Sequence, residues 1–481
     1  MNGLLIIFII LGYFSLLTFI ARLSAKKGDN DAFFRGNGNS PWWLVAIGMI
    51  GTSISGVTFV SVPGMPRLEN MSYMQMVLGF AVGYIIIAKV LLPLYYKLNL
   101  ISIYKYLDER FGNRSYKTGA IFFIISKITG AAARLFLVVL ILQGLVFNKM
   151  GVPFEVTTIS IIILIWLYSH KGGIRSIVRT DALQTIILLT TAGLIIYAIT
   201  SKMGIGLGES ISLIKNSEHS DIFVFDDWSS KQNFFKLFFS GIFITIVMTG
   251  LDQDMMQKNL TIKTLKEAQR NMYIYGAAFI PVNLIFLCIG ILLLSYANFS
   301  GIEIPEKGDE ILPMLATNYL GGTVMILFCI GIVAAAFSSA DSALTSLTTS
   351  FCLDIVRTDK MDKQRAEKIR KLSHIGISVL FALIIMAIRY MDSDSVIDAI
   401  YTIAGYTYGP LLGLFAYGLI TKGKPNDKHI PWFAIASPII CFALSYSLQH
   451  FTGYKTGYEL LMINASITFI LLWISSKKVV S

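Results

Sequence analysis

The feature that most constrains this chain is a series of long blocks such as 4–20 and 186–200, predominantly apolar and without a single charge. About 20 residues of this kind cross a hydrocarbon core roughly 30 Å thick. Lipid offers backbone groups no hydrogen bonds, so each block must close its own bonds as a helix. Alternating ten-residue barrel strands are absent. With 55% hydrophobic and 14% charged residues, against about 25% charged in soluble domains, the chain reads as an all-α integral membrane protein.

The net charge of +11 does not call for nucleic acid, because Lys and Arg collect on the cytoplasmic loops of membrane proteins. Cys288, Cys329, Cys352 and Cys441 fall in or at apolar blocks without metal-ligand or disulfide spacing and read as packing residues. No basic stretch precedes the first apolar run, which is longer than a typical signal-peptide core, so it is kept as a true helix. His170, His219, His374, His429 and His450 lie at span ends or in loops and form no HExxH pattern, which argues against an enzyme. No attached signalling domain or repeated pore-filter sequence suggests a sensor or a channel.

The expected spans, about thirteen, are 3–22, 42–65, 72–97, 118–147, 153–169, 180–201, 234–252, 271–297, 321–353, 372–390, 395–421, 431–450 and 457–476. Threading them from outside puts 28 of the 40 Lys and Arg in the cytoplasm, nine outside, and Lys89, Lys127 and Arg134 within spans. The opposite threading reverses the bias that sets topology. The N-terminus is therefore expected outside and the C-terminus inside, in an inner membrane. The external loop 202–232 reads as a loop with one short surface helix, a candidate lid. A charged helical link is expected over 358–373.

Polar groups inside the spans mark a pathway or a helix end, since a charge at the bilayer centre costs about 2.5–3.5 kcal/mol on insertion scales. Four places stand out. In the second span, WWLVAIGMIGTSISGVTFVSVPG, Gly48, Gly51, Gly56, Thr52, Ser53, Ser55 and Thr58 interrupt the apolar run. An unwound stretch there would free carbonyls for a cation and helix ends for a substrate; close helix packing through small residues explains the composition equally. In the ninth span, GIVAAAFSSADSALTSLTTSF, Ala335, Ser338, Ser339 and Ser342 share a helix face. Their oxygens suit a hard monovalent cation, whereas divalent sites demand several carboxylates. Asp341 lies too deep for a surface charge.

The third place is GGIRSIVRTDALQ (172–184), where Asp181 and Gln184 begin the sixth span. An acid at a helix N-terminus has a purely structural explanation in the dipole. The fourth is Arg134, flanked by alanines, with Lys127 seven residues earlier. A guanidinium there needs an anion, either a protein carboxylate such as Asp341 or a substrate carboxylate bound bidentately.

These patches, in this order, resemble the sodium:solute symporter family over roughly 30–425. The motifs that carry the resemblance are the glycine-hydroxyl second span, GGIRSIVRTDALQ, DQDMMQKNLTIKTLKEAQRN (252–271), FSSADSAL (337–344), SFCLDIVR and YGPLLGLFAYG (408–418). The resemblance implies a LeuT-like inverted five-plus-five helix repeat, here spans two to eleven (42–421), with one extra N-terminal helix (3–22) and two C-terminal ones (431–476), all in a single transporter domain. It implies alternating access around a midplane site, with Na⁺ as coupling ion and no organic cofactor. The partners would be a small solute, sodium and the bilayer, with no nucleic acid and no obligate protein.

Residue by residue, the resemblance implies a main sodium site at Gly51, Ile54, Ala335, Ser338 and Ser339. Some members hold a second sodium at positions matching Asp181, Ser338, Asp341 and Ser342. Members that carry sialic acid have serine where this chain has Asp341. That aspartate would then strengthen the second site, replace it with a proton-carrying carboxylate, or pair with Lys127 or Arg134. For substrate, the matching positions are Ser53, Ser55, Thr58 and Arg134, with Gln75 about two residues out of register and Phe243 along the wall. The function implied is sodium-coupled import of a small solute, such as a sugar acid or another organic anion; a proton-coupled transporter or a transporter-fold sensor is the alternative.

Overall fold

The computed structural model describes residues 3–24, 30–390 and 396–476; the first residue of the expected eleventh span, 395, lies outside them. Among the described residues the secondary structure is almost wholly helical. Among the described residues nine helices are long and apolar enough to cross a membrane, or eleven spans when each of two bent helix pairs is counted as one. Two shorter apolar helices, Phe154–His170 and Leu460–Ser475, fall on the remaining expected segments.

Both bent pairs have a local cause. The second span runs as Trp42–Ser53, then Gly56–Gly64, at 56°. Ser55 is fully extended (φ −70°, ψ 172°), so the helix ends at Ile54, whose N–H still reaches Ile50 O. The seventh runs as Phe234–Gly250, then Gln253–Asn259, at 66°. Ser240, Gly241, Thr245, Thr249 and Gly250, small and polar residues within this span, leave the helix continuous. The bend falls beyond them, at Leu251 and Asp252, because the Asp252 carboxylate caps a new helix by accepting from Asp254 N and Met255 N.

The sixth span also differs from expectation. Its helix begins at Gly173, not near 180. Gly173 takes φ +49°, and a Cβ there would strike Phe33, so this glycine separates spans five and six. Asp181 therefore sits two turns inside the helix, fully buried, where a helix-end dipole cannot explain it. Spans five and six pack along span nine, span two and the first helix. Gly51 lets the broken helix approach closely: a Cβ would collide with Thr185 Oγ1. The loop after span six carries the helix Leu207–Lys215, and the charged link after span nine is the start of Lys363–Ile388. The loop beyond span eight carries the helix Gly308–Asn318.

Candidate functional site

The break in span two faces the serine-rich middle of span nine. Ending a helix releases the carbonyls of its last turn. Of these, Ile50 O keeps Ile54 N, Thr52 O accepts the Ser339 hydroxyl at 3.3 Å, and Ser53 O accepts from Thr58 Oγ1 at 3.3 Å. Ser338 Oγ lies 3.4 Å from Thr52 Oγ1. Ala335, Ser338 and Ser339 are all buried on the same helix. The two elements thus present hydroxyl and carbonyl oxygens to each other, and the break itself, Thr52 to Gly56, contains no charged residue.

A polar cavity opens beside this junction, lined by Thr52, Ser53, Ser55, Thr58, Arg134 and Ser339, with aromatic walls from Tyr84, Tyr275, Tyr401 and Tyr408. Ser53 Oγ is 2.5 Å from Tyr275 Oη, which also receives the Tyr84 hydroxyl at 2.9 Å. Two of the expected contacts are not there. Gln75 is fully buried outside the cavity, giving its amide to Ser72 O and Gln232 O and accepting from Val224 N; it ties down the loop between spans six and seven. Phe243 is also not part of the lining, where its neighbours Ile244 and Thr245 stand instead.

The charged groups sort into two sets. Lys127 pairs with Asp252 at 3.1 Å and Asp254 at 2.7 Å, and Tyr408 donates to Asp252 at 2.7 Å. Lys258 pairs with Asp181 at 2.7 Å. Asp181 in turn accepts from Ser338 at 2.8 Å and Ser342 at 3.4 Å, and the Thr52 hydroxyl lies 3.0 Å away. Asp341 pairs with neither Lys127 nor Arg134. Its carboxylate takes the Tyr168 hydroxyl at 2.7 Å, because position 341 points to span five while 338 and 342 point to span six. Asp341 is therefore not one of the groups that converge on Asp181.

Sequence reasoning missed Asp252, Asp254 and Lys258. They lie in DQDMMQKNLTIKTLKEAQRN, at the end of the expected span seven and beyond it, a motif that carries the family resemblance without indicating a site role. The signal was present: Asp254 and Lys258 stand four apart on one face, and Gly250 precedes a capping aspartate.

An all-helical bundle with two bent spans around a central polar cavity defines a secondary transporter built on the LeuT-like inverted repeat. A structure of a Na⁺-coupled sialic acid symporter, substrate-bound and outward-open, overlays with a TM-score of 0.82 at 22% identity, covering 98% of this chain and 99% of that one. The nucleobase-cation-symport transporter Mhp1 overlays with a TM-score of 0.58 at 15% identity, over 92% of this chain and 94% of its own. The sodium:solute symporter family model matches residues 33–471, and the chain belongs to that family. Its sequence is 26% identical over 424 residues to the sodium/sialic acid symporter SiaT of Proteus mirabilis, covering 86% of this chain and 84% of that protein. It is 24% identical over 432 residues to the sodium/sialic acid symporter NanT of Aliivibrio fischeri, covering 86% and 83%. The protein is thus a multi-pass membrane protein and a sodium-coupled solute symporter, with Na⁺ as its coupling ion.

Proposed function

We propose that the chain imports a carboxylate-bearing solute of the sugar-acid class, a sialic acid foremost, together with sodium. The observation that carries this reading is Arg134. It lines the cavity opposite the broken helix, and among the described residues no carboxylate forms an ion pair with it. The neighbouring Lys127 is already held by two aspartates. A guanidinium presents a planar fork that matches a carboxylate bidentately. Ser53, Ser55 and Thr58 would meet the hydroxyls of such a solute, and the tyrosines would flank its ring. Both relatives named above are sialic acid symporters.

Sodium would bind where the carbonyls of Gly51, Ile54 and Ala335 meet the hydroxyls of Ser338 and Ser339. A sodium ion moving inward down the membrane potential gains roughly 2.3 kcal/mol per 100 mV. Binding beside the solute couples that energy to a shift between outward- and inward-open states. The repeat would span 42–421 within a single domain, with 3–22 and 431–476 added outside it. The N-terminus would face outward and the C-terminus the cytoplasm, as the distribution of Lys and Arg favours, in an inner membrane. Radiolabelled sialic acid uptake in proteoliposomes tests the reading. Uptake in sodium and none in choline is expected, with Arg134→Ala raising the half-saturating solute concentration about 10- to 100-fold, the worth of a charge-assisted bond. Equal uptake in both buffers overturns sodium coupling, and an unaffected Arg134→Ala overturns the carboxylate contact.

A further inference from the structure

Three of the four residues that match a second sodium site, Asp181, Ser338 and Ser342, do converge. Against Asp181 and Thr52, themselves hydrogen-bonded, the chain sets an ammonium of its own. Lys258 Nζ lies 2.7 Å from Asp181 Oδ2, donates to the Thr52 hydroxyl, and has Asp254 Oδ1 at 3.9 Å. Both side chains of the pair are shut off from solvent, Lys258 at 1% exposure and Asp181 at 0%.

We infer that Lys258 is the resident cation of the second site, so that the chain binds and carries one sodium ion and not two. This rests on the sodium-symport reading above. The ammonium supplies what a monovalent metal ion would supply there, a single positive charge facing a carboxylate and a hydroxyl. It is tethered to the half-helix Gln253–Asn259 and cannot leave with the solute. A sodium ion in the same oxygen set would meet a like charge at contact. Among the described residues the other carboxylates nearby are Asp254, held by Lys127 at 2.7 Å, and Asp341, which takes the Tyr168 hydroxyl through one oxygen and forms no ion pair with Lys258. The main site would share only Ser338 with this cluster; among the described residues its other donors, the carbonyls of Gly51, Ile54 and Ala335 and the Ser339 hydroxyl, take no bond from Lys258, which reaches Thr52 and Asp181.

Equilibrium binding of ²²Na⁺ to the purified full chain decides the point without any solute. Wild type should saturate at one sodium per chain, and Lys258→Arg also at one. Lys258→Ala should saturate at two, because Asp181 is then free to take a mobile cation. Two sodium ions in wild type overturn the inference while leaving sodium symport intact, as does a folded Lys258→Ala that still binds one. No binding at all in wild type removes the sodium reading and this inference with it. Should Lys258→Ala fail to fold, the wild-type count alone decides.

Discussion

The break in span two contains no charge, whereas the one in span seven is crowded with it. Both spans bend by similar angles, 56° and 66°, and would be the first helices of the two inverted halves. Span two stops at an extended serine and leaves carbonyls and hydroxyls facing span nine. Span seven stops at a capping aspartate, and its second half then threads Asp254 and Lys258 into ion pairs with Lys127 and Asp181. Neutral oxygens hold a cation weakly enough to release it each cycle, since ligand charge count sets affinity. Paired buried charges do the opposite. They fix one helix half against spans four and six, and losing one partner leaves the other uncompensated.

That contrast predicts unequal consequences for stability. Asp252→Ala removes the cap of Gln253–Asn259, a partner of Lys127 and the acceptor of Tyr408. It should cost about 3–5 kcal/mol, as breaking a buried ion pair does. Thr58→Ala in the neutral break loses one hydroxyl bond to Ser53 O and should cost only about 0.5–1.5 kcal/mol. Thermal melts of the two purified variants compare them directly. Equal losses would erase the distinction between a scaffold break and a binding break. Gln75→Ala should have the smallest effect on transport. Its bonds run to the loop between spans six and seven and not to the cavity, so solute affinity should stay unchanged while the loop around Val224 becomes more open to proteolysis. A marked fall in solute affinity would return Gln75 to the site.

Much of this arrangement was legible in the sequence, for reasons that differ by residue. Helix placement follows from apolar length alone, which lipid enforces. The span-two break was legible as one of two readings, because glycines and hydroxyls inside an apolar run serve either an unwound stretch or close helix packing. Ser338 and Ser339 could be placed together from helical periodicity. Asp181 could not be understood this way, because its helix start is set by Gly173 packing on Phe33, a tertiary contact. The span-seven bend was displaced for a similar reason. Serine and threonine inside an apolar helix can bond back to their own backbone without breaking it, whereas Asp252 competes for backbone N–H groups and wins. Pairing between Lys258 and Asp181, 77 positions apart, has no local signature at all.

A sodium titration of thermal stability tests most directly whether the neutral break is the ion site, because a ligand that binds only the folded state raises the melting temperature with its concentration. Wild type and Arg134→Ala should both gain stability as sodium replaces choline, and the Ser338→Ala, Ser339→Ala double variant should gain none. A double variant that responds to sodium like wild type would contradict the assignment.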